Sequence, residues 1–280
     1  SLGIQQDQLS ALGSGEIAIA DGARGEYPLG EYTLSVSDER VAVNAAGRTV
    51  WASTTGYSFL MAGAGTVDWA EHRGYFWPAT RHGESWNSQR VDRIDNDGGG
   101  LTLTGTLGSP GSEREYSASF APRPGGGISV DVSVPGADTV QWVSEKSQGA
   151  GVHGFGEQFT DFDLSGRLIP IVAREQGVGR GAQPLTLLAD LTNGGAGGTE
   201  SMTYAAWPTF VTGDGEFELR AECLGLLRPH VGDRTFHRGQ KGIELPGQRL
   251  DHGGTAIGSV RVRVRRLPGV PSAVTAPVLQ

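Results

Sequence analysis

Alternation with a period of two residues is the feature that most limits what this chain can become. Tyr32-Thr33-Leu34-Ser35-Val36, Leu101 to Leu107 and Ile128 to Val134 each set apolar residues on one face and polar residues on the other. That is the pattern of strands buried on one side. Turn sequences separate them, among them Asp95-Asn96-Asp97-Gly98-Gly99, Ser109-Pro110-Gly111, Pro122-Arg123-Pro124-Gly125 and Asn193-Gly194-Gly195. Strands recurring at short intervals, with no amphipathic helix between them, predict an all-β antiparallel sandwich. The 45 glycines among 280 residues fit this. They suit tight turns, and each costs a helix interior about 1 kcal/mol relative to Ala. Only Gln5 to Leu12 reads as a helix, and it is short.

The bulk properties exclude several classes of function. A net charge of −8 speaks against nucleic acid as a partner. Cys223 is the single cysteine, so no intrachain disulfide forms. No apolar run approaches the roughly 18 residues of a membrane helix, so no membrane role is expected. The start at Ser1-Leu2-Gly3 lacks a Met and a basic-then-apolar segment, which leaves room for a targeting segment already removed. Localisation and oligomeric state are not legible.

The chemical motifs are few. Gly149-Ala150-Gly151-Val152-His153-Gly154 satisfies the dinucleotide pattern Gly-x-Gly-x-x-Gly, but that pattern has meaning only between a strand and a helix. Here Glu145-Lys146-Ser147-Gln148 precedes it and Phe155-Gly156-Glu157-Gln158 follows, so nucleotide binding is not expected. His72, His82 and His153 lack the spacing of a zinc site. Neither a metal nor a cofactor is expected. Trp69, Tyr75, Phe76, Trp77 and Trp86 offer flat faces for a sugar ring, yet such density also suits a hydrophobic cap. Glu157, Asp161 and Asp163 form a carboxylate cluster, but a retaining glycosidase needs two carboxyls about 5–5.5 Å apart on opposite sides of the sugar. Nothing in the sequence supplies the second wall, so they are expected at turns, a sheet edge or a domain boundary.

The block His153 to Arg180 reads HGFGEQFTDFDLSGRLIPIVAREQGVGR and is followed by Thr203-Tyr204-Ala205-Ala206-Trp207-Pro208-Thr209-Phe210-Val211-Thr212. Phe159, Phe162, Leu164 and Ile169 to Val172 are expected to supply apolar strand residues. Gly177, Gly179 and Gly181 free the backbone around Arg180, whose planar fork of donors suits a carboxylate or sulfonate. Over residues 153–212 the chain resembles the N-terminal β-sandwich of glycoside hydrolase family 31, a galactose-mutarotase-like fold, and more narrowly its sulfoquinovosidase-like branch. Gly154-Phe155-Gly156-Glu157-Gln158-Phe159, Phe162-Asp163-Leu164-Ser165-Gly166 and Glu175-Gln176-Gly177-Val178-Gly179-Arg180 carry the likeness.

The resemblance implies a sandwich that precedes a (β/α)8 barrel bearing the catalytic aspartates, so no catalytic residue is expected in this chain. It also implies that Glu157, Gln158, Glu175, Gln176 and Arg180 bind substrate or brace the pocket. For the Arg180 loop, an interdomain ion pair or a strained turn stands as the alternative. The intact protein is expected to hydrolyse α-glycosides with retention, α-glucosides or sulfoquinovosides, without a metal. A stand-alone carbohydrate-binding module is a second reading, and a purely structural or interaction domain a third.

The sandwich is assigned to residues 1–265, and 266–280 to the start of a linker into a barrel not present here. Within it the composition changes near Gly213. From there to Arg266 the chain holds nine of its 21 arginines and three of its six histidines, with no Trp or Tyr. A reading-frame shift entered near 213–220 and left near 266 accounts for this. So does a divergent hairpin ending in Ser259-Val260-Arg261-Val262-Arg263-Val264-Arg265, where the arginines discourage edge pairing.

Overall fold

The computed structural model describes residues 12–72, 75–145, 150–167, 169, 171, 173, 174, 177–193, 196–212, 218–223 and 259–265. In chain order the strands are β1 (Ile17–Ile19), β2 (Gly25–Leu29), β3 (Tyr32–Val36), β4 (Val41–Ala45), β5 (Arg48–Ala52), β6 (Leu60–His72), β7 (Tyr75–Trp86) and β8 (Gln89–Asn96). They continue as β9 (Leu101–Ser109), β10 (Ser112–Pro122), β11 (Ile128–Ser133), β12 (Thr139–Trp142), β13 (Val152–Gly156), β14 (Ala206–Thr212), β15 (Glu218–Cys223) and β16 (Ser259–Arg265). Among the described residues one α-helix, α1 (Leu185–Thr192), lies between β13 and β14.

The strands form a nine-stranded sheet in the order β1-β8-β9-β10-β11-β16-β15-β14-β13, a four-stranded sheet β2-β3-β4-β5 and a three-stranded sheet β12-β6-β7. Neighbours run antiparallel except β1 beside β8. The fold is therefore an all-β sandwich, as the alternation predicts. Strands β9, β10 and β11 bury every second residue, and β3 does the same. Leu34, Val43, Phe59, Leu60, Leu103, Phe120 and Val130 consequently meet in one core. Each such side chain removed from water contributes about 1.5–3 kcal/mol.

Trp51 is the hub of that core. Its ring centroid lies 5.5 Å from Phe59 in an edge-on arrangement and 4.9 Å from Trp142, spacings that favour aromatic pairs. Its indole N–H donates to Ser144 Oγ at 2.7 Å, so burial leaves no polar atom stranded there. Gln89 is buried as well. Its Oε1 accepts the N–H groups of Phe59 (3.1 Å) and Leu60 (3.3 Å), and its Nε2 donates to the Tyr116 hydroxyl (3.0 Å). The segment entering β6 is thereby tied to β8 and β10. Burial raises the Tyr116 phenol above its ordinary value.

The tract with the altered composition contributes two strands. Residues 218–223 and 259–265 pair with each other from Glu218↔Arg265 to Cys223↔Val260. They stand between β11 and β14 and so join β13 and β14 to the main sheet. The helix expected over Gln5 to Leu12 lies outside the described residues except for Leu12, which is not helical.

Candidate functional site

The residues singled out between His153 and Thr212 gather at the β13–β14 end of the large sheet. Val152 pairs with Thr212, and Gly154 with Phe210. A register shift follows, because Phe155 takes a positive φ of 60° before Gly156 at 90°. Only glycine suits that second position. A Cβ on Gly156 would collide with the carbonyl oxygen of Ala205 and crowd Trp207. The bulge re-aims the chain, and Glu157 leaves it with its N–H bonded to Ala205 O at 2.9 Å. The Phe155 and Phe210 rings stack at 5.2 Å.

Beyond the bulge the structure departs from the expectation that Phe159, Phe162 and Leu164 are strand residues. Residues 157–167 run through bends and turns instead. Asp163 is the reason. Its Oδ1 accepts the N–H of Val152 and the N–H of Ser165, both at 2.9 Å. Leu164 N–H returns a bond to Val152 O at 2.8 Å. A short carboxylate that satisfies nearby N–H groups competes with a sheet ladder. The Val152 N–H, followed by the Ser165 donors, holds the Asp163 carboxyl at about 2. His153 Nδ1 lies 2.8 Å from Phe162 O, and the His153 and Phe162 rings lie 4.4 Å apart.

Asp161 and Asp163, clustered with Glu157 along the sequence, have separate partners. Arg167 reaches Asp161 Oδ2 and Glu200 Oε1, each at 2.9 Å, while Thr160 Oγ1 donates to Glu200 O at 3.0 Å. Exposed pairs of this kind are each worth below about 1 kcal/mol; their effect here is to close the loop onto residues 199–201. A shallow depression results, lined by Gln158, Asp161, Leu164, Arg167, Glu200 and Ser201. Gln158 turns inward and donates to Phe155 O at 3.1 Å, whereas Glu157 is exposed.

Arg180 is held in a specific way. Its guanidinium carbon sits 4.0 Å from the centroid of the Phe159 ring, and its own backbone adopts φ 45° between Gly179 (78°) and Gly181 (89°). The flanking glycines do more than loosen the chain. A Cβ on Gly179 would press on Thr186 and Leu185, and Thr186 Oγ1 accepts the Gly181 N–H at 2.9 Å. Gly177 crosses Gly198 so closely that neither tolerates a side chain. Glu175 and Gln176 lie outside the described residues. Arg174, next to them, is buried with its guanidinium 5.0 Å from the Trp77 centroid and its N–H bonded to Thr203 O. Trp77 and Trp86 are core residues; the side chains of Trp69, Tyr75 and Phe76 are outside the described set.

Helix α1 was missed by the sequence reading. Its signal is Leu185, Leu187, Leu188 and Leu191 after Pro184 and before Asn193. Thr186 and Ala189 face inward, and the four leucines are exposed.

The site therefore defines an all-β sandwich whose polar clusters brace loops. Comparisons with known proteins show what this fold is similar to. No family model matches the chain. A segment of 62 residues is 45% identical to the sulfoquinovosidase of Escherichia coli (strain K12), covering 22% of this chain and 9% of that protein. The chain also superposes on a family 31 sulfoquinovosidase from E. rectale, solved with an aza-sugar inhibitor. The TM-score is 0.58 at 16% identity over 84% of this chain and 32% of that one. This chain shares the β-sandwich fold of that solved structure, and a short segment of it is similar to a sulfoquinovosidase. It spans about a third of the length of the solved relative.

Proposed function

We propose that the chain is the non-catalytic sandwich of a retaining α-glycoside hydrolase of the sulfoquinovosidase or α-glucosidase type, and that its loops brace a sugar pocket supplied by a barrel. The observation that carries this reading is the 45% identical segment shared with a sulfoquinovosidase, together with the sandwich match. The local chemistry agrees. Asp163 accepts backbone N–H groups and Asp161 pairs with Arg167, contacts that fit a bracing role.

Arg180, Glu157 and Gln158 are the pocket-facing side chains on this reading, with Glu175 and Gln176 assigned beside them from sequence. The test has two parts. Residues 1–280 should hydrolyse neither nitrophenyl α-glucoside nor nitrophenyl sulfoquinovoside. Source DNA read past codon 280 should continue into a barrel, and in that longer protein Arg180→Ala should lower activity more than Arg24→Ala. Turnover by the 280-residue chain that is abolished by Asp161→Asn would sink the reading.

One observation favours a carbohydrate-binding module instead. Tyr204 and Trp207 are both more than half exposed and three residues apart, and aromatic faces of this kind suit a pyranose. Saturable quenching of tryptophan fluorescence by methyl α-glucoside, lost in Trp207→Ala, would move the assignment there.

A further inference from the structure

Residues 196–205 form a strap between α1 and β14 that bonds to both loops carrying the sequence motifs. The loop of Glu157 and Gln158 meets it at Ala205 and Glu200. Glu157 N–H donates to Ala205 O at 2.9 Å, and Thr160 Oγ1 donates to Glu200 O at 3.0 Å. The loop of Arg174 and Arg180 meets it at Thr203, Gly198 and Ala196. Arg174 N–H donates to Thr203 O at 2.7 Å, Val178 N–H donates to Ala196 O at 2.8 Å, and Gly177 crosses Gly198. The first loop grows out of β13, whereas Arg174 anchors the second by packing on Trp77 of β7. The strap spans these two anchorages.

Thr203 lies where the two sets of bonds come closest, and it is fully buried. Its own carbonyl serves one loop, and the carbonyl of Ala205, two residues on, serves the other. Thr203 Oγ1 closes the span between them. It accepts the Ala205 N–H at 3.2 Å and donates to Ala205 O at 3.4 Å. A hydroxyl bonded to the backbone two residues ahead fixes a turn, so the two carbonyls are held as a unit. Tyr204, the residue between them, is exposed and adds no burial to that hold. Gly156 crowds Ala205 O from the first loop, where even one added Cβ would collide with it.

We propose that Thr203 is a positioning residue: its hydroxyl sets the spacing between the Glu157-Gln158 loop and the Arg174–Arg180 loop, so that both present side chains to one sugar ligand. The ligand in this statement rests on the pocket reading above, while the coupling of the two loops does not. Thr203 touches no ligand on this account. It acts through two backbone acceptors, Thr203 O and Ala205 O, each of which holds the first or last ordered N–H of a motif loop. A displacement of either loop is therefore passed to the other through the Thr203 turn. The exposed pair between Arg167 and Glu200 adds little to this, because such pairs are weak in water.

Amide hydrogen exchange of the isotope-labelled 280-residue chain tests the coupling without a ligand. In the wild type the Glu157 and Arg174 amides should open together, with one dependence on urea, and more readily than Leu103 in β9. Thr203→Val keeps the branched shape and removes the hydroxyl. It should speed both amides by roughly 5- to 30-fold, the effect of losing one or two weak bonds. Leu103 should be unchanged, and Thr203→Ser should stay close to the wild type. Gly156→Ala presses on Ala205 O from the first loop, so it should speed the Arg174 amide too, and it decides the matter if Thr203→Val does not fold. Acceleration of one amide alone overturns the proposal, as does no acceleration, an equal effect at Leu103, or a Ser variant that behaves like Val. In a longer protein that hydrolyses an α-glycoside, Thr203→Val should raise KM severalfold with kcat little changed, and Ser should restore it. An unchanged KM there overturns the positioning role. A longer protein without that activity sinks the pocket reading instead, and the exchange rates still decide the coupling.

Discussion

The Asp163 carboxylate accepts the backbone N–H of Val152 at 2.9 Å, and this bond fixes where β13 begins. The same oxygen takes the Ser165 N–H, so one charge terminates a turn and starts a strand. The charged form is favoured in the fold, which places the carboxyl at about 2 against an ordinary value of about 3.9. A depressed carboxyl stabilises the fold at pH values above its unfolded value and stops doing so as pH falls towards the folded value. The melting temperature of Asp163→Asn should lie below that of the wild type at pH 7. The gap should narrow between about pH 4 and pH 2. A gap constant across that range would remove the charge from the explanation.

Gly156 should resist substitution. Alanine there meets the Ala205 carbonyl and must hold φ near 90°, a conformation costing of order 1–3 kcal/mol for a residue with a Cβ. Urea unfolding of Gly156→Ala should show a loss of at least about 1 kcal/mol, with the Trp207 signal changed in near-UV circular dichroism. Gly47, which also has a positive φ but nothing within 4 Å of an added Cβ, should lose less when changed to Ala.

Two opposing terms meet at Arg180. Its contact with Phe159 is worth about 0.5–1 kcal/mol at a partly exposed site, while its left-handed backbone costs about 1–2 kcal/mol. Arg180→Gly should therefore be neutral or slightly stabilising in chemical denaturation. Arg180→Val keeps the strain and loses the contact, so it should be destabilising by more than about 1 kcal/mol. If Gly and Val behave alike, the strain is not real.

Gln89 joins three elements in the core. Gln89→Leu leaves the Phe59 and Leu60 N–H groups without their acceptor, and a buried orphan donor costs about 1–3 kcal/mol. A loss of about 2–4 kcal/mol in urea unfolding is expected. Tyr116→Phe removes one bond and should cost about 1 kcal/mol. It should also flatten the alkaline limb of the stability curve. Burial raises the Tyr116 phenol, so the native state keeps a proton that the unfolded chain releases above about pH 10. Native stability falls as pH rises through that range, and the Phe variant should fall less steeply. Parallel curves would rule Tyr116 out.

How much of this was legible varied with the range of the forces involved. The alternation in Tyr32–Val36, Leu101–Leu107 and Ile128–Val134 is local, and these segments form β3, β9 and β11. The stretch from Phe159 to Leu164 contained enough apolar residues to read as a strand. Asp163 and the Ser165-Gly166 turn broke it by capturing backbone donors, a competition that hydrophobic periodicity does not register. Helix α1 stayed hidden for the opposite reason. Its leucines follow a helical spacing, but a run of eight residues before the Asn193-Gly194-Gly195 turn sequence is too short for periodicity to distinguish from a loop.

The motif residues show the same division. Arg180 and the glycines around it were recognisable as a special loop, since residue type limits backbone choice within a few positions. That Arg180 would rest on Phe159, that Asp161 and Glu200 would share Arg167, and that Arg174 would cap Trp77 depended on chain segments brought together from far apart. The sequence by itself determined the class of fold and the kinds of turn, because alternation and steric limits act between near neighbours. Only the tertiary structure decided which strands pair, which carboxylates become latches and which leucines are left at the surface, because those outcomes depend on packing between residues the sequence keeps apart.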